Sequence, residues 1–106
     1  MKESVLQSKF LRKFNSIAFC KAINIPGGSN MERGTPDIIG CYKGIMFGVE
    51  VKTGSYQPTP IQLKRLKEWY EVGGYTTIAR EDFDIPKFLE AVQECSLCTT
   101  KMRTAT

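Results

Sequence analysis

The sequence predicts an α/β domain built in the order helix, strand, strand, strand, helix, strand, helix. Three observations predict it. Apolar residues recur at helical spacing near both ends of the chain, whereas the middle holds short β-branched and aromatic runs. Two of those runs are separated only by Lys43-Gly44, the length of a two-residue hairpin turn. A capping signal, Thr59-Pro60-Ile61-Gln62, then opens a helix between the third and fourth runs. At 106 residues there is room for one domain with one modest core.

The elements follow in order. Leu6, Phe10 and Phe14 recur at i, i+4, i+8 and predict a helix over Lys2 to Phe14, with Lys2, Lys9 and Lys13 on its other side and Arg12 at the margin. Glu3 breaks the pattern, because three residues before Leu6 and seven before Phe10 it falls within the apolar stripe. The alternation of Ile17, Phe19 and Ala22 suggests a strand over Ser16 to Asn24, and the Gly-rich stretch from Ile25 to Thr35 reads as a functional loop. Asp37–Tyr42 and Ile45–Val51 are the hairpin strands. Thr59 caps the second helix, Pro60 takes its first position, and Gly73-Gly74 stops it after Tyr70 or Glu71. Leu66 and Trp69 mark its apolar face, and Gln62, four and seven residues earlier, lies in that stripe. Tyr75 to Ala79 reads as a strand, and Asp84 to Glu94 as a last helix with Asp84 or Asp82 as its cap. The expected organisation is one domain over 1–98 and a frayed tail over 99–106.

Composition removes several kinds of chemistry. The chain has no histidine, so a Ser-His-Asp triad, a Cys-His pair and a His-ligated zinc are all impossible. No run approaches the roughly 20 apolar residues that span a bilayer, and the N-terminus lacks a signal-peptide core, so the expected location is the cytoplasm. Cysteines are normally reduced there. Cys95-Ser96-Leu97-Cys98 is a single CxxC motif that would need two further zinc ligands with no histidine to provide them, Cys20 and Cys41 sit in strand-like runs where buried free thiols are common, and no structural zinc is expected. The net charge of +4 arises entirely within residues 1–53, which hold 8 basic and 4 acidic side chains, a mild preference for a polyanionic partner.

The hairpin concentrates the remaining chemistry. A two-residue turn pairs Tyr42 with Ile45, and carrying that register back places Asp37 opposite Glu50. Directly opposed side chains have Cβ atoms about 4.5–5.5 Å apart, where like charges repel. Lys52, two residues beyond Glu50, projects from the same face of the strand. Opposed carboxylates persist when a cation, a shared proton or strong hydrogen bonds offset the repulsion. Mg²⁺ suits such a place because it takes oxygen ligands, keeps several waters and is often held by one or two carboxylates plus substrate phosphates. A surface cluster of salt bridges is the plainer alternative for the same spacing.

Pro36-Asp37, twelve residues, then Glu50-Val51-Lys52 resembles the PD-(D/E)XK nuclease signature. The longer string, Gly34-Thr35-Pro36-Asp37 with Gly48 to Gly54 and then Pro60-Ile61-Gln62, is similar to the VRR-Nuc branch, the virus-type replication and repair nucleases. The resemblance implies a restriction-endonuclease-like core of order αβββαβ(α), with a mixed central sheet flanked by helices. It implies Asp37 and Glu50 as metal ligands with the backbone carbonyl of Val51 as a third oxygen, Lys52 as the catalytic lysine and Gln62 lining the site. Glu3 would match the acidic residue of the first helix, and Lys21 a basic residue on the first strand of some members. The implied activity is Mg²⁺- or Mn²⁺-dependent hydrolysis of DNA phosphodiesters. Small stand-alone members resemble phage proteins that act as homodimers on four-way (Holliday) junctions. Lys2, Lys9 and Lys13 are then candidates for DNA phosphate contacts. The competing reading is a non-catalytic nucleic-acid-binding or assembly module with the same fold.

Overall fold

A computed structural model gives the order α1 (Glu3–Asn15), β1 (Cys20–Asn24), β2 (Ile38–Tyr42), β3 (Ile45–Val51), α2 (Pro60–Glu71), β4 (Tyr75–Ala79), α3 (Ile85–Thr104). It describes residues 1–27 and 32–104, the side chains from 95 onward excepted. The strands lie in the order β1-β2-β3-β4, antiparallel up to β3 and parallel between β3 and β4, so the sheet is mixed as expected. The parallel step requires a crossover, and α2 supplies it.

The turn sets the register. Lys43 and Gly44 have φ of 49° and 89°, the left-handed pair of a type I′ hairpin, and Tyr42 faces Ile45 while Ile38 faces Val49. β3 is central, and every side chain from Phe47 to Val51 is buried. Phe47 meets Phe14 of α1 and Phe88 of α3, with ring centroids 4.8 and 5.6 Å away, so α1 and α3 cover one face of the sheet. α2 lies on the other face, where the Leu66 carbonyl accepts a hydrogen bond from Thr76 Oγ1 at 2.9 Å. Because side chains alternate, Val49 and Val51 enter the aromatic core and Glu50 is delivered to the α2 side.

The structure corrects three expectations. Ser16–Phe19 is not strand: Ser16 caps α1, the chain reverses, and Phe19 sits at φ 62° with its ring 80% exposed. Asn15 explains why pairing starts later, because its side-chain amide bonds both backbone groups of Ala22 and so braces the edge strand. Trp69 is exposed rather than part of the apolar face of α2, which buries only Leu66. α3 runs past Glu94 to Thr104, and Asp84 is its cap, accepting from the Lys87 N–H at 3.1 Å. The Cys95 and Cys98 side chains and residues 105 and 106 of the expected tail lie outside what is described.

Gly40 is where the sheet tolerates least. A Cβ built there would lie 2.4 Å from the Phe47 ring and 2.6 Å from the Lys21 carbonyl oxygen. Gly40→Ala is therefore expected to cost at least about 3 kcal/mol and to lower the melting temperature by at least about 12 °C, measurable by calorimetry.

Candidate active site

The site lies where β2 begins and β3 ends. Asp37 directly precedes β2, and its carbonyl accepts from the Ile25 N–H at 2.7 Å, tying it to the end of β1. Pro36 before it is fully buried. Asp37 Oδ2 accepts the Val51 N–H at 2.8 Å, a bond that reaches across the hairpin and aims the carboxylate at β3. Glu50 is 1% exposed, and among the described residues its Oε2 is the one buried side-chain oxygen or nitrogen with no partner. The two carboxyl groups lie close enough that each alters the other's hold on its proton. The hairpin turn thus brings Asp37 and Glu50 together as its register predicts.

Burial, reinforced by the Asp37 charge, pushes Glu50 up to about 8 against the partial opposition of Lys52. Burial also raises Asp37, opposed chiefly by the Val51 N–H. Two contacting carboxyls in such surroundings share one proton near neutrality. Lys52 follows the last residue of β3, with its N–H on the Ala79 carbonyl at 3.0 Å and its side chain 13% exposed. Its Nζ lies 3.8 Å from Glu3 Oε1, so the acid that broke the apolar stripe of α1 reaches the site by way of the lysine.

A cavity of about 380 Å³ opens on this pair, bordered by Asp37, Glu50, Gly34, Thr59 and Gln62. Gln62 is placed there as expected, yet its Oε1 accepts the Thr59 N–H at 2.8 Å while Thr59 Oγ1 accepts the Gln62 N–H at 3.3 Å. That capping box occupies the amide oxygen and leaves Nε2 for any further contact. Lys21 is not brought in. It faces Cys41, four positions along β2 from Asp37, which is roughly 13 Å at strand rise. Lys2, Lys9 and Lys13 are exposed on α1; Lys9 and Lys13 border, with Arg12, a separate cavity of about 600 Å³ floored by Phe10 and Phe83.

The donors fit a divalent cation that takes oxygen. Glu50 Oε2 is a buried acceptor without a donor, and Asp37 stands beside it. Among the described residues no group of three or more His, Cys, Asp or Glu side chains could hold a metal. A two-carboxylate set therefore suits Mg²⁺ or Mn²⁺, which keep waters and accept substrate oxygens, better than a metal that demands an all-protein cage.

Other residues hold the site without any sequence pattern announcing them. Arg65 on α2 donates from Nε to the Arg33 carbonyl at 3.0 Å and pairs with Glu32, clamping the segment before Asp37. Gly34 makes that clamp possible, because a Cβ there would lie 2.7 Å from the Ile61 carbonyl oxygen. On the far side, Arg80 Nη1 donates to the carbonyls of Gly54 and Tyr56 at 2.9 and 2.8 Å and steadies the loop after Lys52.

By sequence, the chain matches no family model and no curated protein. Similar folds are found among solved structures. It is similar to a VRR_NUC domain protein with a TM-score of 0.65 at 17% identity, over 89% of this chain and 87% of that one. It is also similar to Hjc of Archaeoglobus fulgidus, a Holliday junction resolvase, with a TM-score of 0.54 at 16% identity, over 76% of this chain and 69% of that one. At these identities the likeness is one of fold, and it bears out the α/β nuclease core that the resemblance implies. No described helix is long and apolar enough to cross a membrane.

Proposed function

We propose that this chain is a VRR-Nuc-type nuclease of the PD-(D/E)XK group, a metal-dependent endonuclease that hydrolyses DNA phosphodiesters and prefers four-way junctions. The observation that carries the reading is the buried Asp37–Glu50 pair with its orphaned Oε2. A structural carboxylate buried this deeply would be expected to have all its acceptors satisfied, since an unpaired buried polar atom costs stability. A site kept for a cation accepts that cost.

In this reading Asp37 and Glu50 hold Mg²⁺ or Mn²⁺, with the Val51 carbonyl as a further oxygen. A cation held there would supply polarisation of the phosphodiester and a lower pKa for water at the site. The Val51 N–H fixes which Asp37 oxygen is engaged. Lys52 places positive charge where the phosphate gains negative charge, and Glu3 holds that ammonium in position. Gln62 contributes Nε2, and the lysines of α1 contact flanking phosphates. The junction preference draws on the likeness to Hjc, described as a Holliday junction resolvase. A homodimer would present two such sites to two strands, and twofold pairs are the commonest assembly.

The test is cleavage of linear, flapped, single-stranded and four-way DNA with each metal, alongside solution mass. Asp37→Asn is expected to reduce junction cleavage at least about 10³-fold while binding and melting temperature stay near wild type. Junction binding without cleavage by the wild-type chain in either metal would identify a non-catalytic module instead. Normal cleavage by Asp37→Asn would remove Asp37 from the site.

A further inference from the structure

The loop that follows Lys52 is tied down as firmly as an element of the sheet, yet it displays an aromatic ring to solvent. Gly54, at φ 57°, donates its N–H to both carboxylate oxygens of Glu81, at 3.0 and 3.1 Å. The Gly54 and Tyr56 carbonyls both accept from Arg80 Nη1. The Tyr56 N–H donates to the Thr53 carbonyl at 3.2 Å, and Thr53 itself is buried. Tyr56 thus has both backbone groups fixed while the residue as a whole is 74% exposed. Ordering a loop costs conformational entropy, and here the aromatic ring recovers little of it by burial.

We infer that Tyr56 is a specificity-determining residue, a platform on which an unpaired or unstacked base of the DNA substrate stacks beside the cleavage site. The inference rests on the nuclease reading and deepens it by naming the feature of the substrate that is read. Tyr56 lies four positions along the chain from Lys52, a reach of about 14 Å at most, or about four nucleotides at 3.4 Å rise. The loop lies at the end of the sheet that carries Glu50, because it is bonded to residues 80 and 81 just beyond β4. Three other exposed aromatics are placed differently. Phe19 bonds to Lys43 at the hairpin turn, the opposite end of the sheet, and Trp69 and Tyr70 belong to the last turn of α2, whose first turn borders the site. A continuous duplex has no free base face to offer near a cleavable bond, whereas a branch point does. Stacking is indifferent to base identity, so such a residue selects shape rather than sequence.

The experiment measures Kd for a four-way junction and for a linear duplex of equal length, in the Asp37→Asn background so that neither is cut. The junction carries 2-aminopurine at the branch point. Tyr56→Ala and Tyr56→Leu are expected to weaken junction binding about 5- to 100-fold and to leave duplex binding within about twofold. Tyr56→Phe, which keeps the ring and loses only the hydroxyl, is expected to bind like wild type and to retain the 2-aminopurine quenching that Ala and Leu lose. Wild-type junction affinity in Tyr56→Ala, equal weakening on both DNAs, or failure of Tyr56→Phe alongside Ala would overturn the inference while the nuclease reading stands. If the Asp37→Asn chain binds neither DNA, the nuclease reading falls and this inference with it.

Discussion

Glu50→Gln is expected to abolish DNA cleavage and, in the absence of metal, to make the protein more stable. Cleavage should fall at least about 10³-fold, because glutamine cannot supply an anionic oxygen to a cation. The stability effect follows from proton linkage. A glutamate in the unfolded chain releases its proton near 4.5, whereas Glu50 in the folded protein keeps it up to about 8. Between those values the folded state binds more protons than the unfolded one, so the free energy of unfolding falls as pH rises through that window. Wild-type melting temperature should therefore decline between about pH 5 and pH 8 in EDTA, and Mn²⁺ should recover much of the loss at the upper end. Glutamine removes the titration and brings an N–H₂ that can donate to Asp37. Its melting curve should be nearly flat with pH, higher than wild type by about 5 °C at pH 8, and unmoved by Mn²⁺. Calorimetry at pH 5 and pH 8, with and without metal, checks every part; an unchanged pH slope in the variant would show that Glu50 is not the group titrating there.

The part of this site that the sequence makes legible is the part fixed by backbone geometry. Lys43-Gly44 sets a register, the register opposes Asp37 to Glu50, and the two-residue period then dictates that Lys52 shares their side of the strand. Thr59 and Gln62 are legible for the same reason, since a capping box is a local geometric demand. Glu3 shows as a misfit in an apolar stripe, and its partner Lys52 supplies the explanation. Lys21 is misleading because its place depends on the loop before Pro36, whose length does not reveal where β1 begins to pair. Ile17 and Phe19 alternate like a strand but serve a reversal braced by Asn15. Arg65, Arg80 and Glu81 leave no trace in the pattern because they bind loop backbone groups, and backbone groups look alike at every position. The exposure of Tyr56 likewise depends on loop bonds that only the folded chain displays.

Lys52→Met is expected to lose cleavage as completely as Glu50→Gln while moving stability in the opposite direction. Lys52 is the cation whose charge opposes the rise of both Asp37 and Glu50, and among the described residues it is the ion-pair partner of Glu3. Methionine keeps most of the stem, so packing is little disturbed and the charge is what is lost. Without it three carboxyl groups face one another with no internal counter-charge, and Asp37 and Glu50 hold their protons to still higher pH. The same linkage then steepens: more protons are retained on folding, and stability falls further as pH rises. In EDTA at pH 8 the melting temperature should drop by about 5 °C or more relative to wild type, with little difference at pH 5, where Glu50 is protonated in both proteins. Mn²⁺ should recover more stability in this variant than in wild type, because the cation takes over the role of the missing ammonium. Combining the two substitutions isolates the coupling. If Lys52 acts as counter-charge to the pair, its removal should cost much less once Glu50 is already neutral, and the double variant should melt well above the sum of the single effects. Simple additivity would mean that Lys52 stabilises the fold through its contact with Glu3 and not through the carboxylates it faces.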